Sequence, residues 1–124
     1  MTIVSFMPAP LDLELYSGDR HDLVIELWTD DAATVPRSIS GLTFTSMIRK
    51  TRKTTDASQI WTLTVVAHQG SGIVDPTTLT VTIPKTITAA LPTAAVWDLQ
   101  ETNGSGDPET LYTGTVTTTM DVTR

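Results

Sequence analysis

The sequence predicts an all-β domain, an antiparallel sandwich or barrel. Three observations predict it. Apolar residues alternate with polar ones in several separate segments, the period of a half-buried strand. Turn signals recur at intervals of roughly 8–15 residues, the spacing of short antiparallel strands. Thr accounts for 25 of the 124 residues, and its branched Cβ favours strands over helices. No segment offers the crossover helix of about ten residues or more that a parallel α/β sheet requires.

The elements follow in order. Residues 1–10 are apolar and end in Pro8-Ala9-Pro10, which favours an extended chain. They are expected to form an arm, with residues 11–124 as a single domain. Leu11, Leu13 and Leu15 alternate with Asp12, Glu14 and Tyr16 as a first strand, closed by a turn at Ser17-Gly18-Asp19. Leu23, Ile25 and Leu27 repeat the alternation, leaving Trp28 with the opposite parity. Val35-Pro36-Arg37 is an extended connection. A strand then carries Phe44, Ser46 and Ile48 on one face, with Met47 and Arg49 on the other.

Beyond a polar loop comes a strand from Ile60 to Ala67, with Trp61, Leu63 and Val65 on one face. Leu79, Val81 and Ile83 mark the next strand, and residues 85–91 fit one helical turn ended by Pro92. Ala95, Trp97 and Leu99 follow, then a turn over residues 102–108 with its Asn-Gly and Gly-Asp-Pro signals. In the last strand, residues 110–123, Gly114 points to a bulge or a close backbone approach. The expected core is Leu13, Leu15, Ile25, Leu27, Ile48, Leu63, Val65, Val81, Trp97 and Leu99.

Composition excludes several functions. With no cysteine, there is no disulfide scaffold, thiolate metal site or cysteine nucleophile. The formal charge of −6 argues against a general nucleic-acid binder. No apolar run reaches the ~18 residues of a membrane span, and residues 1–10 lack the pattern of a signal peptide. Asp19 and Asp22 flank His21, and Asp30 adjoins Asp31, but neither set has the spacing of a calcium loop. Asp12, Glu14 and Glu26 fall on solvated strand faces. No nucleophile, base and orienting group come together in the sequence, so no enzyme and no cofactor is expected.

Two segments are candidate partner-binding sites. Ile3, Val4, Phe6 and Met7 crowd apolar side chains into the arm, an exposed patch of the kind that marks contact surfaces. Arg49, Lys50, Arg52 and Lys53 concentrate half of the eight basic residues. They suit an acidic protein surface better than nucleic acid, since no aromatic residue is interleaved. Solvated charges at a strand end are the plain alternative.

The order of these signals resembles a family. Leu15-Tyr16-Ser17-Gly18-Asp19 precedes a strand over Asp22 to Trp28, then Ile39-Ser40-Gly41-Leu42-Thr43-Phe44 leads to Met47-Ile48-Arg49. Later come Leu79 to Ile83, Leu91-Pro92, Val96-Trp97-Asp98-Leu99-Gln100, Thr110-Leu111, Gly114-Thr115-Val116 and Asp121-Val122-Thr123-Arg124. The pattern resembles the small immunoglobulin-like structural domains of tailed bacteriophages, similar to the N-terminal domain of baseplate upper proteins. Ser40 and the long basic run at residues 49–53 depart from it. The resemblance implies an immunoglobulin-like β-sandwich of about 7–9 strands with at most a short helical turn. It implies a virion structural protein of the tail or baseplate, made in the host cytoplasm. Its partners would be other tail, baseplate or fibre subunits in a multi-copy assembly, without nucleic acid or membrane. A capsid or neck decoration protein is the alternative. From another class, so is a carbohydrate-binding module that stacks sugars on Trp28, Trp61 or Trp97.

Overall fold

The computed structural model describes residues 9–29 and 34–120. Eight strands form in order: β1 (Ala9–Pro10), β2 (Leu13–Tyr16), β3 (His21–Leu27), β4 (Thr43–Arg49), β5 (Ile60–His68), β6 (Thr77–Ile83), β7 (Ala94–Thr102) and β8 (Pro108–Thr119). A 3-10 turn (Ala57–Gln59) and the four-residue helix α1 (Lys85–Thr88) complete the described elements. The expected all-β, immunoglobulin-like sandwich is the observed fold. Its helical turn sits inside the predicted residues 85–91.

β5 makes the sandwich from one continuous path. Its first half, through Leu63, pairs with β4; from Thr64 onward it pairs with β6. One layer is therefore β2–β8–β7–β4 with the start of β5, and the other is the end of β5 with β6 and β3. The period-2 pattern continues through the crossing. Leu63 is buried, and Trp61 and Val65 are packed against the core on either side of it.

The pairing is not wholly antiparallel, which corrects one detail of the expectation. β1 and β2 run parallel to β8, with Leu13 opposite Val116 and Tyr16 opposite Thr119. Alternation reports which face of a strand is buried and is silent on pairing direction. Here the turn after Tyr16 carries the chain into the other layer instead of folding it back as a hairpin. β2 is thereby free to lie along β8 in the same direction. Ala9 and Pro10, the last residues of the expected arm, already pair with Tyr112 and Thr113.

Between β1 and β2 the chain presses close to β8. A Cβ on Gly114 would lie 2.1 Å from the Leu11 carbonyl oxygen, so only glycine fits. That carbonyl accepts a 2.7 Å hydrogen bond from Trp97 Nε1, which satisfies the polar edge of a side chain only 2% exposed. The Asp12 carboxylate accepts from the Thr115 N–H at 2.9 Å. This bond is the largest cause holding the Asp12 carboxyl below its usual range.

Most of the expected core is buried: Leu15, Ile25, Ile48, Leu63, Val81, Trp97 and Leu99. Leu13, Leu27 and Val65 are partly buried and packed against it. Leu79, Ile83, Ala95 and Val116 join them. Two buried hydroxyls bridge elements: Ser46 donates to the Asp98 carbonyl of the neighbouring strand at 2.7 Å, and Thr88 to the Asp19 carbonyl in the turn after β2 at 2.8 Å, while the buried Thr118 hydroxyl has no partner.

Candidate interaction surface

The strand order sends the loops to two ends. β4 finishes at Arg49 beside Val96 and Ile60, so residues 50–59 lie at the end where β7 begins and β8 finishes. The turn at residues 17–20 and helix α1 join them there, held by the Ser17 N–H on the Thr119 carbonyl and the Gly18 N–H on Thr88 Oγ1. We call this the basic end. The opposite end collects the connection before β4, the β5–β6 hairpin at residues 69–76 and the β7–β8 hairpin at residues 103–107.

At the basic end a tight turn shapes the run Arg49–Lys53. The Thr51 N–H donates to Thr54 Oγ1 at 2.9 Å and the Thr54 N–H to the Thr51 carbonyl at 3.2 Å. Arg52 is thereby folded back over β8, where its Nη1 donates to Thr113 Oγ1 at 3.1 Å. Arg49 lies on the outer face of β4, its Nη2 3.7 Å from Met47 Sδ. Its buried Nε has no hydrogen-bond partner. Lys50 and Lys53 are exposed.

Arg49 and Arg52 share a hollow of about 200 Å³ with Met47, Asp98 and Gln100. Burial pushes the Asp98 carboxyl above the ordinary carboxylate range, while Arg49, Arg52 and the Met47 N–H pull it down. Desolvation wins because neither guanidinium closes an ion pair with it. A second, more open hollow of about 460 Å³ adjoins the first across Arg52. Its outward-facing floor is Ala94, Val96, Thr115 and Thr117, with Lys50 and Arg52 on the rim. The arrangement offers hydrogen-bond donors and positive charge beside a shallow floor of methyl groups.

At the other end a different arginine is fully engaged. Arg37 Nη2 donates to Glu101 Oε2 at 2.7 Å, and Nη1 lies 2.5 Å from Oε1. Oε1 is out of line for a hydrogen bond, so the pair is one hydrogen bond and one close charge contact. The Arg37 carbonyl accepts from Thr77 Oγ1 at 2.7 Å and from Gln69 Nε2 at 3.2 Å. Sequence reading treated residue 37 as plain connection. The signal it lacked was Glu101, an acid with the parity of the core residues Trp97 and Leu99.

The remaining candidates separate. Ile3, Val4, Phe6 and Met7 lie outside the described residues, as do Asp30 and Asp31. His21 Nε2 accepts from the Tyr16 N–H at 3.2 Å, and Asp22 is bonded by Thr82 Oγ1 at 2.9 Å. Among the described residues no three His, Cys, Asp or Glu side chains are grouped as metal ligands. None of the three tryptophans is fully exposed. Trp97 is buried, Trp61 is packed on the core, and Trp28 is half-buried with Nε1 donating to Glu26 Oε1 at 3.1 Å. The expectation of sugar stacking is corrected accordingly.

No family model and no curated protein matches the chain. Among solved structures it is similar to AggA, the major subunit of aggregative adherence fimbriae type I from Escherichia coli. The likeness has a TM-score of 0.46 and 15% identity, over 90% of each chain. It is a resemblance of overall shape, and no role is drawn from it. The expectation of a phage tail, baseplate or capsid component is corrected here. AggA is a fimbrial subunit and not a phage protein, and the phage reading is not taken further.

Proposed function

We propose that this chain is a non-enzymatic binding module that joins protein chains by receiving an acidic surface on its basic end. One observation carries the reading: Arg49 and Arg52 are brought together over open hollows without closing an ion pair to the neighbouring Asp98. A guanidinium with unused donors beside a shallow apolar floor suits a carboxylate-bearing protein segment, which arginine grips with paired hydrogen bonds. Nucleic acid fits less well. The chain is acidic overall, and no aromatic residue interleaves the cations for base stacking.

The test is a titration followed by amide chemical shifts, with poly-L-glutamate as the probe and single-stranded DNA as the comparison. Shifts confined to residues 49–53 and 94–98 with polyglutamate, and lost in Arg49→Gln/Arg52→Gln, support the reading. Tighter binding of DNA than of polyglutamate would reject it.

A further inference from the structure

The two ends of the sandwich are complementary. Among the described residues the basic end gathers Arg20, Arg49, Lys50, Arg52, Lys53 and Lys85, alongside Asp12, Glu14, Asp19, Asp22, Asp56 and Asp98. At the opposite end Arg37 is neutralised by Glu101, which leaves Glu26, Asp75, Asp107 and Glu109. In a chain with a net charge of −6, every described Lys and Arg other than Arg37 thus lies toward one end, and the other end is left acidic.

The acidic end also carries an apolar prong. In the β5–β6 hairpin Ile73 is 65% and Val74 98% exposed. Their exposure is built in, because the hairpin beneath them is stiff. The Ser71 N–H donates to the Asp75 carbonyl at 2.9 Å and the Asp75 N–H to the Gly72 carbonyl at 3.1 Å. The Asp75 carboxylate is held by Ser71 Oγ at 2.8 Å and His68 Nε2 at 2.7 Å. A Cβ on Gly70 would lie 2.3 Å from the Thr77 N, so glycine lets the two arms close. Two aliphatic side chains beside a carboxylate are therefore presented with little ordering entropy left to lose on binding.

We propose that the partner received at the basic end is a second copy of this chain, whose Ile73–Val74–Asp75 prong enters the hollow over Ala94, Val96, Thr115 and Thr117. The proposal rests on the reading of that end as a protein-binding surface and names its occupant. The match is chemical at each point. The aliphatic pair meets a methyl-lined floor, and the Asp75 carboxylate meets the rim of Lys50 and Arg52. Prong and hollow lie at opposite ends, so the contact is heterologous. One copy's prong leaves its own hollow open for the next, and the assembly grows as a row or closes as a ring. Like ends meeting would set cation against cation at one end or carboxylate against carboxylate at the other, which disfavours a two-fold dimer through either end.

Sedimentation velocity on the full chain, over a wide concentration range at low and high salt, tests it. The expected result is concentration-dependent association that weakens as salt screens the opposed charges. Val74→Asp, which loses the prong, and Lys50→Glu/Arg52→Glu, which loses the rim, should each weaken association at least about tenfold. Both sites are exposed, and unchanged melting transitions will show that the variants remain folded. Each variant keeps one intact end, so an equimolar mixture should form dimers and stop there. A wild-type chain that stays monomeric at low salt overturns the proposal. So does association that survives both variants, or that is lost only when residues 1–8 are deleted. Polyglutamate binding at residues 49–53 by a strictly monomeric chain would leave the protein-binding reading standing and remove the self-contact alone.

Discussion

Arg37 and Arg49 occupy comparable positions near opposite ends of the sandwich, and the structure uses them in opposite ways. Arg37 meets a carboxylate that is 6% exposed and is held against it at 2.5–2.7 Å. Its carbonyl meanwhile anchors Gln69 and Thr77. Arg49 stands near a carboxylate that burial has made reluctant to ionise, and its Nε bonds nothing. The difference separates a charge spent on closing the fold from a charge whose donors the fold leaves unused. A cation that closes a loop over the core is neutralised within the fold. A cation over an open hollow keeps donors unused within the fold, which is the basis of the contact proposed for it.

The comparison breaks most visibly at Glu101. Replacing it with Ala leaves Arg37 without a counter-charge, at an expected cost of about 3 kcal/mol, read from the shift of the urea midpoint. The matched replacement Arg37→Met/Glu101→Leu removes both charges and keeps the Arg37 carbonyl in place. It should return to within about 1 kcal/mol of the parent in the same measurement. Full loss in the double variant would mean that the pair does more than neutralise itself. At the basic end Arg49→Gln/Arg52→Gln should move the midpoint by less than about 0.5 kcal/mol while reducing polyglutamate binding. A large loss of stability there would make these arginines structural and erase the contrast.

The smallest expected effect is in the pH profile, where two carboxylates should act with opposite signs. Asp98 has its folded pKa raised, chiefly by burial, so the folded state holds that proton more tightly than the unfolded chain. Its destabilising contribution is present above the folded pKa and is relieved as pH falls through it. Asp98→Asn should therefore raise the melting temperature slightly at neutral pH. Asp75 has its folded pKa lowered, first by the His68 hydrogen bond and then by Ser71. Its contribution is present above the unfolded carboxylate value and is lost as pH falls through the folded pKa. Melting temperatures of Asp98→Asn and Asp75→Asn should lie on opposite sides of the parent at neutral pH and converge on it as pH falls.

How much of this was readable beforehand differs from residue to residue. Leu63, Val81, Trp97 and Leu99 are buried as their alternation predicted, because side-chain direction along a strand is a local property. Gly114 points in the sequence to a bulge or a close approach, and the structure shows the latter, with the Leu11 carbonyl against it. Arg49, Lys50, Arg52 and Lys53 were singled out as a run, but the run did not say which of them would meet. The Thr51–Thr54 turn decides that, bringing Arg52 to Thr113 across 61 residues of sequence. The outward prong at Ile73 and Val74 has no signature in the sequence. Two apolar residues before a strand look the same whether they turn inward or out.

By itself the sequence determined the fold class, most of the core and the place of helix α1. Those follow from period, turn chemistry and residue shape within a few neighbours. Only the tertiary structure decided the parallel docking of β2 on β8 and the crossing of β5 between layers at Leu63 and Thr64. It alone decided the closure of Arg37 on Glu101, and the separation of basic and acidic loops to opposite ends. Each of these joins segments far apart in the chain. Their choice depends on which edges remain open after the local pairs have formed, and no window of sequence records that.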